Sequence, residues 1–282
     1  MSDDPRAPKA LIGAVSAPAL HVMTWNVRRA MPLGIREAGR WQRRAPRLAA
    51  LLAAEQPTVL GVQEALPQQA RFIRDALGGS YRFVGRGRAG DGGGEGCPIF
   101  YDSSRLELMN AQQIALSDRP DVPGSRSWGN VLPRIMLAAT FRDHATGRRL
   151  FVINTHFDHL SRRSRLRSAE AVRRSVAACA LPAVVMGDLN DDESGAAVIE
   201  LFRDGLLADA WSRARVHLTV PWATRPNYRR PRRNGRRIDW IAVSPRLQVT
   251  RAAVNARRHA GGWGSDHLPV QAEIVSPEYS GR

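Results

Sequence analysis

Short, wholly apolar runs alternate with amphipathic stretches along this chain of 282 residues. Apolar runs of this kind are typical of strands that are buried on both faces. They predict strands at 20–27, 58–63, 97–101, 106–116, 135–141, 149–155, 184–187, 237–243, 247–254 and 268–274. Apolar positions at helical spacing predict helices at 40–56, 66–77, 161–180 and 194–203. The alternation of strands and helices, without an internal repeat or linker, indicates one α/β domain, which we place at 19–276.

The apolar run at 184–187 ends on Gly187 and is followed by a pair of polar residues, Asp188 and Asn190. Because side chains alternate along a strand, we expect these two to point the same way. Such a pair can orient and deprotonate a water molecule or help to hold a hard cation. The same residue types also form Asx turns that do no more than end a strand.

Other polar residues stand at the ends of apolar runs in the same way, with one inside a run. They are Asn26, Glu64, Asn154 with His156, Asp239, and Asp266 with His267. In α/β sheets, groups at strand ends meet along one edge although they are far apart in sequence. Acidic groups buried together repel unless a cation or proton intervenes. A divalent ion held by oxygen ligands would fit, whereas the chain lacks the Cys/His ligand set of structural zinc.

The net charge of +16 and the sequence pI of about 11.4 suggest a polyanionic partner such as nucleic acid or a phosphorylated metabolite. However, Lys9 is the only lysine, so the arginine excess is equally consistent with coding bias in a GC-rich genome. The run 225–237 carries seven arginines around Tyr228 and is the best candidate for a nucleic-acid contact. Solvated surface charge is the competing interpretation.

The remaining sequence features concern the cellular location of the protein and its disordered or mobile segments. No apolar run is long enough to cross a bilayer, and two cysteines form no disulfide framework, so we expect a reducing compartment, the cytoplasm, with secretion as the alternative. We expect the protein to be a monomer. We interpret residues 1–18 as a disordered leader and 277–282 as a tail. The glycine- and arginine-rich segment 85–96 lacks the ending of a phosphate-binding P-loop and predicts a mobile loop at the rim of a site.

The polar clusters, taken in order, resemble the motif set of the endonuclease/exonuclease/phosphatase superfamily, which includes DNase I and exonuclease III. The matching motifs are Thr24-Trp25-Asn26, Gln63-Glu64, Asn154-Thr155-His156, Gly187-Asp188-Leu189-Asn190, Arg237-Ile238-Asp239-Trp240 and Ser265-Asp266-His267. The resemblance covers about residues 20–276, and the stretches 95–101, 120–134 and 155–159 are similar to a bacterial branch with poorly defined substrates. It implies a four-layer α/β sandwich, in which two packed mixed β-sheets are flanked by helices, and a phosphoesterase dependent on one or two Mg²⁺ or Mn²⁺ ions.

The resemblance also implies a role for each matching residue. The metal ligands would be Asn26, Glu64 and Asp266. The catalytic residues would be His156, Asp188, Asn190, Asp239 and His267. In this scheme Asp188 and Asn190 position and activate the attacking water. His267, oriented by Asp239, holds the phosphate or acts as acid and base. His156 donates to a non-bridging oxygen, supported by Glu95.

Three further residues are candidates for substrate binding: Arg134, Asn154 and Tyr228. Arg134 could grip a phosphate, although a salt bridge at the rim is equally plausible for it. The ring of Tyr228 could stack on a base or pack beneath its loop. His159 is expected to be exposed to solvent.

The leading hypothesis is a metal-dependent hydrolase of phosphodiesters, with nucleic acid favoured as the substrate because of the charge. The alternative is the same chemistry on a small phosphorylated metabolite or a lipid head group. A third possibility is a binding module that has lost the chemistry, but every expected catalytic residue type is present. The shape of the cleft would separate the first two, because a long open groove suits a duplex and a closed pocket suits a metabolite.

Overall fold

Two mixed β-sheets pack face to face, and helices cover their outer faces, in the residues that the computed structural model describes, 10–31 and 37–276. In chain order, the strands of this part of the chain are β1 Ala19–Asn26, β2 Val59–Gln63, β3 Tyr81–Val84, β4 Ile99–Asp102, β5 Leu106–Ala115, β6 Ile135–Asp143, β7 Arg149–His156, β8 Ala183–Asp188, β9 Ala208–Asp209, β10 Val216–His217, β11 Asp239–Val243, β12 Gln248–Val254 and β13 Val270–Val275. The α-helices are α1 Trp41–Glu55, α2 Pro67–Leu77, α3 Arg162–Ala178, α4 Ala196–Phe202 and the single turn α5 Ala210–Arg213. Short 3₁₀ turns lie at Glu37–Gly39 and Arg203–Gly205.

The strand order is β10-β12-β13-β1-β2-β4-β3 in the first sheet and β5-β6-β7-β8-β11-β9 in the second. The pairs β1–β2 and β7–β8 are parallel, and each is flanked by antiparallel neighbours. The carboxyl ends of the two parallel pairs therefore lie beside the amino ends of β11 and β13. One edge of the sheets therefore carries the carboxyl ends of four strands and the amino ends of two others.

Burial on both faces explains why the central strands are almost entirely apolar. In β1, Val22 faces the core between the sheets, while its neighbour Met23 packs with Leu48 and other residues of the helical layer. In β8, Val184 faces the same inter-sheet core and Val185 packs with Ala169 and other residues of α3 and α4. These three clusters make the four layers that the resemblance implies, and that expectation is confirmed.

The amino-terminal residues differ from expectation. The buried carboxylate of Glu55, at the end of α1, accepts hydrogen bonds from the backbone nitrogens of Leu11, Ile12 and Gly13 at 2.8, 3.2 and 3.1 Å. Residues 10–18 are thus tied to the domain rather than forming a disordered leader. Residues 1–9 and the predicted tail 277–282 lie outside the described residues.

The glycine-rich segment 85–96, predicted to be mobile, folds back on itself. The Arg88 nitrogen donates to the Glu95 carbonyl at 2.9 Å, and Gly87 forms a bridge with Gly96. Within the ranges described above, no helix has the length and apolar character that a membrane crossing requires.

Candidate active site

Strand ends from both sheets meet at one edge and carry the predicted site residues. Asn26 ends β1, Glu64 follows β2, His156 ends β7 and Asp188 ends β8. Asp239 begins the antiparallel β11 and lies directly opposite Asp188 in the register. The segment that carries Asp266 and His267 leads into β13, which is antiparallel to β1. The topology therefore gathers residues that are far apart in sequence.

Asn26 joins the two sheets across this edge. Its Nδ2 donates to Glu64 Oε1 at 2.9 Å and to Asp188 Oδ2 at 3.0 Å. Asp188 Oδ2 also lies 3.6 Å from His156 Nε2 and 3.8 Å from His267 Nε2. One carboxylate oxygen is therefore the centre of the predicted catalytic set, and its side chain is almost completely buried.

Asp239 and His267 form a buried pair. His267 Nδ1 lies 2.9 and 3.1 Å from the two carboxylate oxygens of Asp239, whose backbone nitrogen donates to Thr224 Oγ1. Burial disfavours the charged ring of His267, but the carboxylates of Asp239, Asp188 and Asp266 outweigh it and raise its pKa to about 10. His267 is therefore an imidazolium at neutral pH, with Nε2 facing Asp188.

The other two titrating groups shift for different reasons. Burial, and then the charge of Asp239, raise the pKa of Asp188 to about 7. Burial and the neighbouring guanidinium groups of Arg134 and Arg88 lower the pKa of His156 well below its ordinary value. The site thus holds one charged and one neutral imidazole around a carboxyl group that is poised to exchange a proton near neutrality.

The residues present fit a hard divalent cation. Carboxylate oxygens of Glu64 and Asp188 converge on the same amide nitrogen of Asn26, and an amide turned to present its oxygen would complete a set of oxygen ligands. Burial and the charge of Asp239 raise the pKa of Asp188, and a cation beside its carboxylate would favour the ionised form.

A second group, Asp188, Asp239 and His267, presents possible ligand atoms within 4.8 Å of one another. There the imidazolium already supplies the positive charge and its Nδ1 is bonded to Asp239, so a cation would have to displace a proton. The side of the cluster formed by Glu64, Asn26 and Asp188 is the better match.

A pocket of about 270 Å³ opens above these groups. Its floor contains Glu64, His156, Asp188, Asn190 and His267. Its walls come from connecting segments and comprise Arg29, Arg88, Glu95, Leu132, Arg134, His159 and Arg225. The four arginines among these wall residues make the lining basic.

Gly187 allows Asp188 to take its place on this floor. The backbone of Gly187 has a φ of +154°, and a Cβ there would lie 2.0 Å from the Thr155 carbonyl oxygen on the paired strand β7. A side chain at this position would therefore push apart the two strands that carry His156 and Asp188.

Not every predicted residue lies in the pocket. Asn154 is completely buried beneath it, where its Nδ2 donates to the Val62 and Pro98 carbonyls and its Oδ1 accepts from Gln63. A residue two positions before a strand end lies about 7 Å deeper. Asn154 therefore ties the two sheets together and is not available to a substrate.

Two predicted interactions also differ. Glu95 pairs with Arg29 and Arg88, at 3.2 and 2.6 Å, rather than with His156. Asp266 pairs with Arg28 at 3.0 Å and accepts from its neighbouring serine, so its carboxylate is already compensated and does not line the pocket.

Tyr228, the third candidate for substrate binding, packs beside the pocket. Its ring lies 5.7 Å from the guanidinium carbon of Arg28 and is absent from the pocket lining. Of its arginine-rich segment, Arg225 reaches the pocket, whereas Arg237 is buried on Asp209 and is structural.

Two of the wall residues, Arg29 and Arg88, belong to segments without periodicity, so no sequence pattern predicts their place in the pocket. His159 is exposed, as the sequence predicts, and its Nδ1 also accepts from Arg134 at the pocket edge. The acidic Glu95 among glycines was the one available clue, because a half-enclosed carboxylate requires a cationic partner.

Comparison with known proteins agrees with this geometry. The sequence profile of the Endonuclease/Exonuclease/phosphatase family matches residues 23–267. A family protein from Bacteroides thetaiotaomicron is 29% identical, over 92% of this chain and 98% of that chain, with a TM-score of 0.86. The mannosyl-6-phosphatase Bt3783 from Bacteroides thetaiotaomicron VPI-5482 is 28% identical, over 91% of this chain and 99% of that chain, with a TM-score of 0.84.

More distant structures share the fold alone. The TDP2 protein of D. rerio, in complex with a single-strand DNA product, is 19% identical over 91% of this chain and 99% of that chain, with a TM-score of 0.69. No curated protein matches the sequence. The profile match spans most of the domain and includes every strand end that carries a floor residue. The chain therefore belongs to the Endonuclease/Exonuclease/phosphatase family, whose members are phosphoric ester hydrolases.

Proposed function

We propose that this protein is a divalent-metal-dependent phosphatase that hydrolyses a terminal phosphate monoester on a small molecule. The observation that carries the proposal is the pocket: its volume of about 270 Å³ lies near the lower end of the range for small-molecule sites. Basic side chains surround the floor groups, which suits a phosphoryl group that carries two negative charges.

The reaction would use the floor residues in distinct roles. Glu64, with Asn26 and Asp188 beside it, would hold Mg²⁺ or Mn²⁺, which when bound neutralises phosphoryl charge and lowers the pKa of a coordinated water. Asp188 accepts the proton of the attacking water, and Asn190 helps to orient that water. The backbone supports this pair, since the Asn190 nitrogen donates to Asp188 Oδ1 at 3.0 Å.

The two imidazoles stabilise the phosphoryl oxygens. His267 Nε2–H, on a charged ring held by Asp239, donates to an oxygen on which negative charge develops. His156, at the end of β7 beside Asp188, contributes a neutral N–H donor. Donors fixed in a buried setting stabilise the transition state without having to reorganise during the reaction.

A size comparison favours the small substrate over a duplex. A nucleic-acid duplex requires an open surface along which several phosphates can be contacted. Here the reacting groups line a half-open pocket of about 270 Å³, a volume that suits a small phosphorylated molecule. The similar structure of Bt3783 is that of a mannosyl-6-phosphatase, and this name supports a phosphorylated sugar as the substrate class.

A nuclease remains the second candidate because of the exposed arginines beside the pocket mouth. Arg225 lines the pocket, and Arg229, Arg230 and Arg232 follow it on an exposed segment. These residues could contact the backbone of a single strand whose end enters the pocket. That arrangement would also account for part of the basic charge.

An activity panel tests the proposal. We expect turnover of p-nitrophenyl phosphate and of sugar 6-phosphates with Mg²⁺ or Mn²⁺, none with EDTA, and none for Asp188→Asn with either ion. Nicking of a plasmid and decay of single-stranded RNA are measured as the nuclease arm. Cleavage of nucleic acid without turnover of any monoester would reject the phosphatase proposal.

A further inference from the structure

The guanidinium of Arg134, at the start of β6, is almost completely buried, with 2% of the side chain exposed, yet it lines the pocket. Two of its three nitrogens are occupied: Nε donates to Asp158 Oδ2 at 3.1 Å and Nη2 donates to His159 Nδ1 at 3.1 Å. Its Nη1 is buried and has no hydrogen-bond partner within residues 10–31 and 37–276. A buried charged donor without an acceptor is unfavourable, so this nitrogen indicates a ligand atom that the protein itself does not supply.

Asp158 fixes the orientation of that guanidinium. Its Oδ1 accepts from the backbone nitrogens of Leu160 and Ser161, at 2.9 and 2.7 Å, just before α3. Ser161 in turn caps α3, with its Oγ accepting from the Ser164 nitrogen at 3.1 Å. The carboxylate is therefore held by the start of a long helix, and Arg134 cannot turn away from the pocket without breaking this chain of contacts.

The surroundings of Nη1 favour an anion. Arg134 and Arg88 both line the pocket beside His156. Arg88 is paired with Glu95, and Asp158 and His159 occupy two nitrogens of Arg134, so the donor left without an acceptor at this wall is Nη1 of Arg134. An anionic oxygen is the strongest acceptor for a guanidinium N–H.

We propose that Arg134, positioned by Asp158, determines specificity for phosphate monoesters over diesters by donating Nη1–H to the third non-bridging oxygen. A monoester has three non-bridging oxygens, and a diester has two. The floor supplies His156, His267 and the ion-binding residues for the oxygens that both esters share, and Arg134 adds a donor for the oxygen that a diester lacks. This inference rests on the proposed phosphatase function and names the residue that selects its substrate class.

The test compares one leaving group in two esters, p-nitrophenyl phosphate and bis(p-nitrophenyl) phosphate, with Mg²⁺ present. A hydrogen bond to a charged group contributes about 10- to 150-fold to binding. We therefore expect Arg134→Met to lower kcat/KM for the monoester by about that factor, while the diester value changes by less than about threefold. Inorganic phosphate should inhibit the variant correspondingly less strongly than the wild-type enzyme.

Two further variants keep the result interpretable. Asp158→Asn leaves the arginine in place but weakens its positioning, so we expect a smaller loss, of about tenfold, in the same monoester-to-diester ratio; it also serves if Arg134→Met does not fold. Arg142→Met is the matched control, because Arg142 lies near the far end of β6, the strand that Arg134 precedes, in an exposed pair with Glu107. Its ratio should equal that of the wild type.

A merely structural role for Arg134 would lower both activities together and leave their ratio and the phosphate inhibition constant unchanged, which would overturn the inference. Hydrolysis of the diester alone by the wild type would instead reject the phosphatase proposal. If neither ester is turned over, direct calorimetric binding of inorganic phosphate decides: equal affinity of wild type and Arg134→Met would overturn the role of Arg134.

Discussion

Replacing Asp239 with asparagine should change the pH range in which the enzyme works. The substitution keeps the size of the side chain and an oxygen that can accept from His267 Nδ1, and it removes only the charge. In the wild type, the pKa of His267 is raised from 6.5 to about 10, chiefly because the charge of Asp239 outweighs burial. A shift of that size corresponds to about 5 kcal/mol of preference for the charged ring.

The magnitude follows from the charged fraction of His267. At pH 8 a group with a pKa of about 10 is about 99% protonated, whereas one with the ordinary value of 6.5 is about 3% protonated. Once the charge of Asp239 is removed, burial keeps the pKa of this ring at or below its ordinary value, so Asp239→Asn should lose at least about 30-fold in kcat/KM at pH 8 if the imidazolium is the active form. As the pH falls the ring of the variant regains its proton, and the loss should shrink by up to about tenfold for each pH unit.

The assay is a pH–rate profile of p-nitrophenyl phosphate hydrolysis with saturating Mg²⁺, from pH 5.5 to 10. Histidine ¹³C NMR of the metal-free protein follows the His267 ring independently of activity. An Asp239→Asn variant with the same fractional loss at pH 6 and pH 8 would refute the role of the imidazolium. Protonated His267 also contributes to the free energy of unfolding. Because its pKa is raised in the folded protein, this contribution is complete below pH 6.5 and is lost as the pH rises towards 10.

Three further predictions concern the metal, the layer beneath the site and the amino-terminal segment. Glu64→Gln should raise the Mg²⁺ concentration for half-maximal activity by at least about tenfold, because the amide cannot supply a charged ligand; an unchanged titration would contradict this. Asn154→Ala should lower the free energy of unfolding by about 3 kcal/mol, since three hydrogen bonds are lost, as measured by urea denaturation; a loss below about 0.5 kcal/mol would show that these bonds are replaced. Burial lowers the pKa of His21 to about 4, so its neutral form stabilises the fold above pH 6.5 and this contribution is lost as the pH falls towards 4. Between pH 7.5 and 5.0 the wild type should lose about 2 kcal/mol more than His21→Asn in the same experiment, and parallel curves would exclude His21 as the cause.

The fold followed from the sequence because burial on two faces leaves a clear trace. The run around Val184 is apolar at every position, and α3 shows Ala169, Val172 and Val176 at helical spacing. The edge strand β3, Tyr81–Val84, is short and partly exposed, and its pattern was too weak to be identified.

The site was only partly accessible from sequence. The floor groups were found because each stands where an apolar strand ends, and that position is readable along the chain. Arg88 could not be found in this way, since its placement depends on backbone hydrogen bonds within a glycine-rich hairpin. From sequence, Asn154 cannot be distinguished from a residue that binds substrate, because it is polar and lies near the end of an apolar strand. Only its burial between the two sheets shows that it is structural.

The origin of the pocket residues has a consequence for how this protein could be altered. Every reacting group lies at the end of a strand or within three residues of one, whereas the wall residues belong to the connections between strands. Insertions and replacements in such connections are tolerated far better than changes in packed strands. A library of variants confined to 85–96, 118–133 and 225–236 could therefore change which substrate is accepted without altering the residues proposed to carry out the hydrolysis.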